Sequence, residues 1–548
     1  MILDHALALM VISPITAALI IKLLSRFEYS DGFRDFITFI GLLMPLVLLL
    51  LTPLDIKMVY EMGGWPRPFG ISLVLNGLSR AMVLVTGVVT LSSYVYYIDF
   101  LDQDPKADDY HFLFLFMTAG LYGVFLTGDL VNRYIFFEIT ILTTYVLLTF
   151  IGTKESLRAS FRYFIIGAVA SIMFLAGIGL TYFYTGYLDM GALSREVPLL
   201  ANSKKNIVFA FFLVAAGVKL GIIPFHTWLP DTHVEAPTPM TAILAGVTVK
   251  TGGYILLKFY EMGFQTPLIQ HTFILLGAFT AVSGAVMSLK YVNMKRILAW
   301  LTVSHVGVVA IMFSIWTPES LGAGLLYLIN HSFYKALLFL TLGAFVYLYG
   351  TSDIRRLPLL KSNVILSSTL LVGLLALMGI PPLNGFYSNW LMISMVDDPL
   401  IYAVLITTWI ITSTSAIRIL FLSYGKKRTT ERNLTEGVMA PLIILAGLTS
   451  FAGLSTSIFL RSIVGPAAES VFDTSSGLPI SGIEIGAVFS INGLLVLIPI
   501  LGGFLSALSI MNVNIKGAEG IFSNVTIRDS VRYIILVMGI FLLLGFFF

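Results

Sequence analysis

The 548-residue sequence contains no cysteine. That excludes disulfides, cysteine-ligated zinc, iron–sulfur clusters and thioether-linked haem within this chain. Any electron transfer in an assembly containing it would run through another subunit or a cofactor that needs no cysteine. Charge is scarce too: Asp, Glu, Lys and Arg make up 11% of the residues, against about a quarter in ordinary soluble domains. The net charge of +3 says little about partners of so apolar a chain. No basic patch interleaved with aromatics points to nucleic acid, and no catalytic or cofactor motif is present, so the chain is not assigned an enzymatic activity of its own.

What is there in place of charge is a succession of apolar runs. Hydrophobic residues make up 57% of the chain and the mean hydropathy is +0.92. About 16 runs reach the roughly 20 residues that cross a bilayer as a helix. They lie near 4–24, 34–54, 77–99, 110–127, 130–151, 160–184, 206–226, 238–260, 268–290, 296–315, 321–350, 364–395, 400–424, 437–463, 485–511 and 531–548. They lack period-2 alternation, which argues against a β-barrel, the other structure that lipid tolerates. The expectation is an all-α polytopic membrane protein of one domain. The first run has no basic n-region and no small-residue cleavage site, so it reads as a retained helix. Lys and Arg concentrate in the odd-numbered loops, including Lys22 and Arg26, Lys154 and Arg158, Lys295 and Arg296, Arg355 and Arg356, Lys426 to Arg428, and Lys516 and Arg528. Positive charge stays inside, which predicts these loops in the cytoplasm and both termini outside, with Lys204 and Lys205 as a minor exception.

The chain is organised around residues 215–250, AAGVKLGIIPFHTWLPDTHVEAPTPMTAILAGVTVK. Lys219 sits in an apolar helix interrupted at Pro224, and Lys250 lies deep in the next one. A lysine at the centre of a membrane helix costs about 2.5–3.5 kcal/mol on insertion scales, and proline removes a backbone donor and leaves a carbonyl without its helical partner. Lys219 therefore lies where water or a polar partner is needed; the alternative is a lysine that snorkels to the interface. Glu138, two turns into the fifth span, is the expected partner of Lys219. The pair either tunes the proton affinity of Lys219 or is a static ion pair that fixes packing. Lys250, with Thr248, Thr251, Gly252 and Gly253 beside it, is read as a relay position, and Lys258 as snorkelling. The polar turn carrying His226, Asp231, His233 and Glu235 matches no zinc spacing and reads as surface structure or a proton entry funnel. In the eleventh span His331 and Lys335 are four residues apart and share a helix face, alongside Asn330 and Ser332. His305 is a secondary candidate, as is Asp129 at the start of span 5. A second interruption, Gly379 to Pro382, falls five spans after the first, which suggests two inverted five-helix units around a midplane site. After it comes Asn389, with no charge before Asp397.

These stretches resemble the antiporter-like subunits of Mrp sodium/proton antiporters, of respiratory complex I, and of archaeal membrane-bound hydrogenases and sulfane reductases. The residues that carry the resemblance are Gly128-Asp-Leu with Glu138, Val218-Lys219, the run PFHTWLPDTHVEAPTP from Pro224 to Pro239, Lys250, Lys295-Arg296-Ile-Leu-Ala299, and His331 with Lys335. The resemblance implies a 14-helix core (1–463) with inverted repeats at roughly 108–260 and 266–426 and broken helices 7 and 12. Residues 464–548 are then an extension with two further spans that clasps neighbouring subunits. It implies a polar mid-membrane axis through Glu138, Lys219, Lys250, His331 and Lys335. Where the family usually ends that axis with a Lys or Glu, this chain has Asn389. The expected partners are other membrane subunits, including antiporter-like ones, the lipid bilayer, protons or sodium ions, and a peripheral iron–sulfur or hydrogenase-like arm if the complex is redox-driven. The expected function is ion translocation in such a complex; a structural subunit with an incomplete path, or a quinone-reactive one, is the alternative. No cofactor or metal is assigned to the chain.

Overall fold

The computed structural model describes residues 3–27, 29–54, 56–101, 106–360, 362–423, 432–472 and 491–512. The apolar runs form helices because a backbone in lipid must satisfy its polar groups within its own segment. The first two are α1 (Ala6–Leu24) and α2 (Asp31–Leu51). A short hairpin follows, which hydropathy did not anticipate. In it β1 (Met58–Glu61) pairs antiparallel with β2 (Ser72–Leu75), Met58 lying opposite Leu75. It lies between apolar runs, and residues 127–128 cover the edge of β2, Gly128 N donating to the Ser72 carbonyl at 2.8 Å.

Then come α3 (Gly77–Leu101), α4 (Ala107–Leu126), α5 (Leu130–Leu148) and α6 (Lys154–Thr185). The short α7 (Met190–Glu196) leads into α8 (Asn202–Leu220). The expected turn is helical: after one 3-10 turn the chain forms α9 (Trp228–Glu235), then α10 (Thr238–Ile243) and α11 (Val249–Glu261). Next are α12 (Pro267–Lys290), α13 (Met294–Ile315), α14 (Pro318–Tyr349), and the split pair α15 (Val364–Met378) and α16 (Asn384–Ser394). The chain continues through α17 (Pro399–Ser423), α18 (Glu436–Leu454), α19 (Thr456–Phe459), α20 (Gly465–Phe472) and α21 (Ile491–Asn512). Among the described residues, 13 helices or helix pairs are long and apolar enough to cross a membrane. The expected span at 531–548, the stretch 512–532 beyond Asn512 and the loop charges Lys426 to Arg428, Lys516 and Arg528 lie outside the described residues.

Burial separates the centre from the periphery. The most apolar stretches of α10–α11 and of α13 are entirely buried, against 44% for α5, α6 and α12. The outer helices turn large side chains such as Leu50, Phe183 and Leu275 to the exterior, as a lipid-facing rim does. The buried centre is where the basic and imidazole side chains lie.

Both interrupted helices stop at a glycine in the left-handed region, Gly221 (φ 77°) and Gly379 (φ 76°), where a residue without Cβ is favoured. The first break therefore begins three residues before Pro224. A second recurrence lies in the loops. Leu130 N donates to the Leu188 carbonyl and Met190 N to that of Gly128. Met294 N donates to the Ser352 carbonyl and Ile354 N to that of Val292. Each of these groups recurs 164 residues on, from 130 to 294 and from 190 to 354. The first clasp joins the starts of α5 and α7; the second joins the start of α13 to the chain leaving α14.

Candidate functional site

Lys219 sits in the last turn of α8, 1% exposed. Its Nζ donates to Tyr163 Oη at 3.2 Å and lies 4.8 Å from the centre of the Phe137 ring. It does not snorkel. Buried partners take the carbonyls at the break: Gly217 accepts from Gly221 and Ile222, and Val218 accepts from Trp228 Nε1 at 2.8 Å. Trp228 belongs to α9, so the helix after the break caps the helix before it. Tyr163 in turn meets Trp228 edge-on at 5.1 Å, which holds its hydroxyl toward the lysine.

Glu138 faces Lys219 from α5, close enough for the two charges to interact, yet among the described residues no ion pair joins them. Its Oε1 is buried without a hydrogen-bond partner. The expected contact is open in this structure, because Tyr163 and Phe137 occupy the near side of the ammonium.

Lys250 is reached through a local change of helix pitch. Residues Leu244–Thr248 form a π-turn, in which the Val249 N–H bonds back to the Leu244 carbonyl. The Ala245 carbonyl loses the donor that an α-helix would give it, and Lys250 Nζ donates to it instead. The same ammonium lies 2.6 Å from His331 Nδ1. An ammonium donates, so Nδ1 accepts and the imidazole proton is on Nε2. That Nε2 has no partner. His305 stands edge-on to His331, ring centres 5.2 Å apart, with its Nδ1 3.3 Å from Tyr334 Oη and its Nε2 3.4 Å from Thr412 Oγ1. A cavity of 10 Å³ opens among Leu220, Lys250, His305 and His331, about the space of one water. Lys219 does not line this space; its helix reaches it through the next residue, Leu220.

One turn beyond His331, Lys335 is fully buried and donates to the Leu298 carbonyl at 3.0 Å. His233 is also fully buried, stacked on Phe339 at 4.9 Å with neither ring nitrogen bonded. Phe339 is four residues from Lys335, so α9 brings His233 to the same end of the cluster. Surface structure is therefore wrong for His233. His226, 5.3 Å from Trp300, also has an unpartnered Nδ1.

The remaining candidates stand apart. Asp129 caps α5, accepting from Asn132 N at 2.7 Å. Asp231 is held by Arg162 and, at 3.2 Å, by Arg296. Lys258, near the end of α11, pairs with Glu261 at 2.6 Å. Asn389 is buried against Gly379, in the second break, and Asn330 and Asn384 exchange hydrogen bonds at 3.0 and 3.2 Å beside it in the fold. Tyr163, Tyr334 and Thr412 join the cluster without any signal in the local sequence. Arg133, a charge one turn into an apolar span, does carry such a signal, and sequence reasoning passed over it.

A family model described as NADH:quinone oxidoreductase/Mrp antiporter, TM matches residues 127–417. The chain is 31% identical over 428 residues to a Na(+)/H(+) antiporter subunit of Alkalihalophilus pseudofirmus, covering 76% of this chain and 84% of that protein. It is 30% identical over 378 residues to an NADH-quinone oxidoreductase subunit of Desulforudis audaxviator, covering 67% and 75%. Its fold matches a chain of the membrane-bound sulfane sulfur reductase, an archaeal respiratory membrane complex, with a TM-score of 0.78 and 25% identity over 85% of this chain and 98% of that one.

Proposed function

The chain belongs to the NADH:quinone oxidoreductase/Mrp antiporter transmembrane family, and from that premise we propose that its buried Lys–His row carries protons through a multi-subunit complex. It is a multi-pass, antiporter-like membrane subunit, and its relatives are subunits of larger membrane assemblies. The observation that carries the reading is the contact between Lys250 and His331, with His305 and Lys335 beside it and, among the described residues, no carboxylate paired with any of them. Two bases sharing one proton in a dry interior can exchange it, whereas a buried ion pair would hold it.

The path runs from Glu138 and Lys219 through the small cavity to Lys250, then along α14 to His331 and Lys335. When Glu138 and Lys219 close on each other, the carboxylate holds the lysine's proton in place; when they part, as here, the lysine loses its counter-charge and passes the proton inward. The net ion is a proton or a sodium ion exchanged for it. The two clasps and two glycine breaks support an inverted-repeat arrangement at roughly 108–260 and 266–426. Residues 464–548 are read as the clasping extension; of these, α20 packs on α3 and α14, and α21 along α17. The charged loops face the cytoplasm and the termini lie outside. An iron–sulfur or hydrogenase-like arm belongs to the reading only if the complex is redox-driven.

Asn389 favours a second reading, in which the chain keeps the fold and has lost the exit. Ion transport in inverted vesicles holding the intact complex separates the two. Lys219→Ala is expected to abolish transport while assembly persists, and Asn389→Lys to raise or preserve it. Normal transport by Lys219→Ala places the path in another subunit and leaves this chain a scaffold.

A further inference from the structure

A larger, polar space lies away from the axis, on the face that carries the β-hairpin. It is a cavity of 270 Å³, closed at its floor by Arg133 and Tyr254 and reaching exposed Lys57 at its mouth. Its walls hold two satisfied ion pairs. Arg67 binds Asp189 through two hydrogen bonds at 2.7 and 3.0 Å, and Lys258 binds Glu261 at 2.6 Å. Those four charges balance one another.

Arg133 is different. It is fully buried, its Nη2 donates to the Thr127 carbonyl at 2.7 Å, and its guanidinium lies 5.3 Å from the centre of the Tyr254 ring. Its Nε and Nη1 have no acceptor. Arginine keeps its charge at any physiological pH, so it cannot escape the cost of burial by losing a proton. The carboxylates nearest it are otherwise engaged: Glu261 is taken by Lys258, and Asp129 caps α5 while burial holds its carboxyl above the ordinary range. A fixed cation with unmatched donors, joined by Lys57, repels protons and sodium and attracts an anion.

We propose that this cavity binds a phosphate oxyanion, held by Arg133 at the floor and Lys57 at the mouth. A phosphate offers three or four oxygens, enough to accept from a guanidinium and an ammonium together and from water as well. Two sources offer that group here. The cavity lies beside the hairpin that links two apolar spans, α2 and α3, and a link between spans lies at the level of the lipid headgroups. The hairpin beside it exposes Trp65 (68%) and Phe69 (88%), side chains that favour the lipid–water interface. Free phosphate reaches the same mouth from the water.

The test uses the intact, delipidated complex in detergent and follows its melting temperature against inorganic phosphate, short-chain phosphatidylglycerol and a short-chain diacylglycerol lacking phosphate, at constant ionic strength. A saturable rise with phosphatidylglycerol but not phosphate identifies a lipid headgroup; a rise with phosphate alone identifies the free ion; diacylglycerol has no effect in either case. Arg133→Gln is expected to weaken the binding by about tenfold or more, the scale of a lost charge-assisted hydrogen bond, and Lys57→Glu by several-fold. Absence of a saturable rise from both phosphate-bearing probes overturns the proposal, as does unchanged affinity in Arg133→Gln. If that variant does not assemble, Lys57→Glu decides: unchanged affinity refutes the site.

Discussion

At the scale of single residues, the chemistry depends on which acceptor each lysine is given. Lys219, Lys250 and Lys335 rest on neutral acceptors, a tyrosine hydroxyl and two backbone carbonyls. Such acceptors stabilise an ammonium less than a carboxylate does, so each lysine remains able to give its proton up. On the proposed path Lys250 and His331, 2.6 Å apart, would share one proton and should fail as a unit. Lys250→Ala and His331→Ala are each expected to lower transport about 100-fold, and the double variant to lower it no further; additive losses in the vesicle assay would show two independent roles. Asp231 offers the contrast, since its two arginines hold it in an ion pair with no link to the row.

At the scale of elements, close approach sets the geometry. Gly252 on α11 lies against the Ala216 carbonyl and the Leu220 backbone of α8, so any Cβ there would collide with the chain at the first break. That contact packs α8, which carries Lys219, directly against α11, which carries Lys250. Gly252→Leu is expected to abolish assembly, whereas Gly179→Ala, where no atom lies within 4 Å of the new Cβ, should leave melting temperature and transport unchanged; equal behaviour of the two would dismiss the packing argument. Much of this level was legible in the chain itself. Apolar runs announce spans because length and hydropathy alone suffice, and each expected span up to residue 511 has a helical counterpart among the described residues. The breaks were legible because Gly and Pro have local meanings. The segment around His233 was not: its prolines suggested a turn, while Pro230 sits in the first turn of α9, where a missing N–H costs nothing. The hairpin was missed because strands this short carry no hydropathy signal. The meeting of His305 with His331, and the separation of Glu138 from Lys219, depend on how distant helices pack, which no local pattern encodes.

At the scale of the whole molecule, the lack of cysteine becomes an experimental advantage, since any introduced thiol is the sole one in this chain. Leu199→Cys, at a position 79% exposed beyond α7, is expected to react with an impermeant maleimide from outside the cell. Arg356→Cys, on the opposite face, should react only after permeabilisation. The reverse pattern would invert the assigned orientation. Many exposed apolar side chains on α2, α6 and α12 serve equally for lipid and for neighbouring subunits, so the chain's rim is consistent with the multi-subunit assemblies of its relatives.

The two backbone clasps have a mechanical meaning. Each ties both ends of a helical hairpin, α5 with α6 and α13 with α14, into a closed ring, and the loop order sets one ring's knot on each face of the membrane. A ring so knotted resists bending and serves as a frame. The broken segments, α8 to α11 and α15 to α16, lie outside both knots, and each bends at a left-handed glycine, Gly221 or Gly379. Cysteine pairs that lock the knots, Asp129→Cys with Asp189→Cys or Asn293→Cys with Asp353→Cys, are therefore expected to leave transport intact, and loss of transport on locking would show that the frame itself must flex. The fold thus resembles a ratchet housing, with two rigid brackets bolted on opposite sides and the jointed pawls between them.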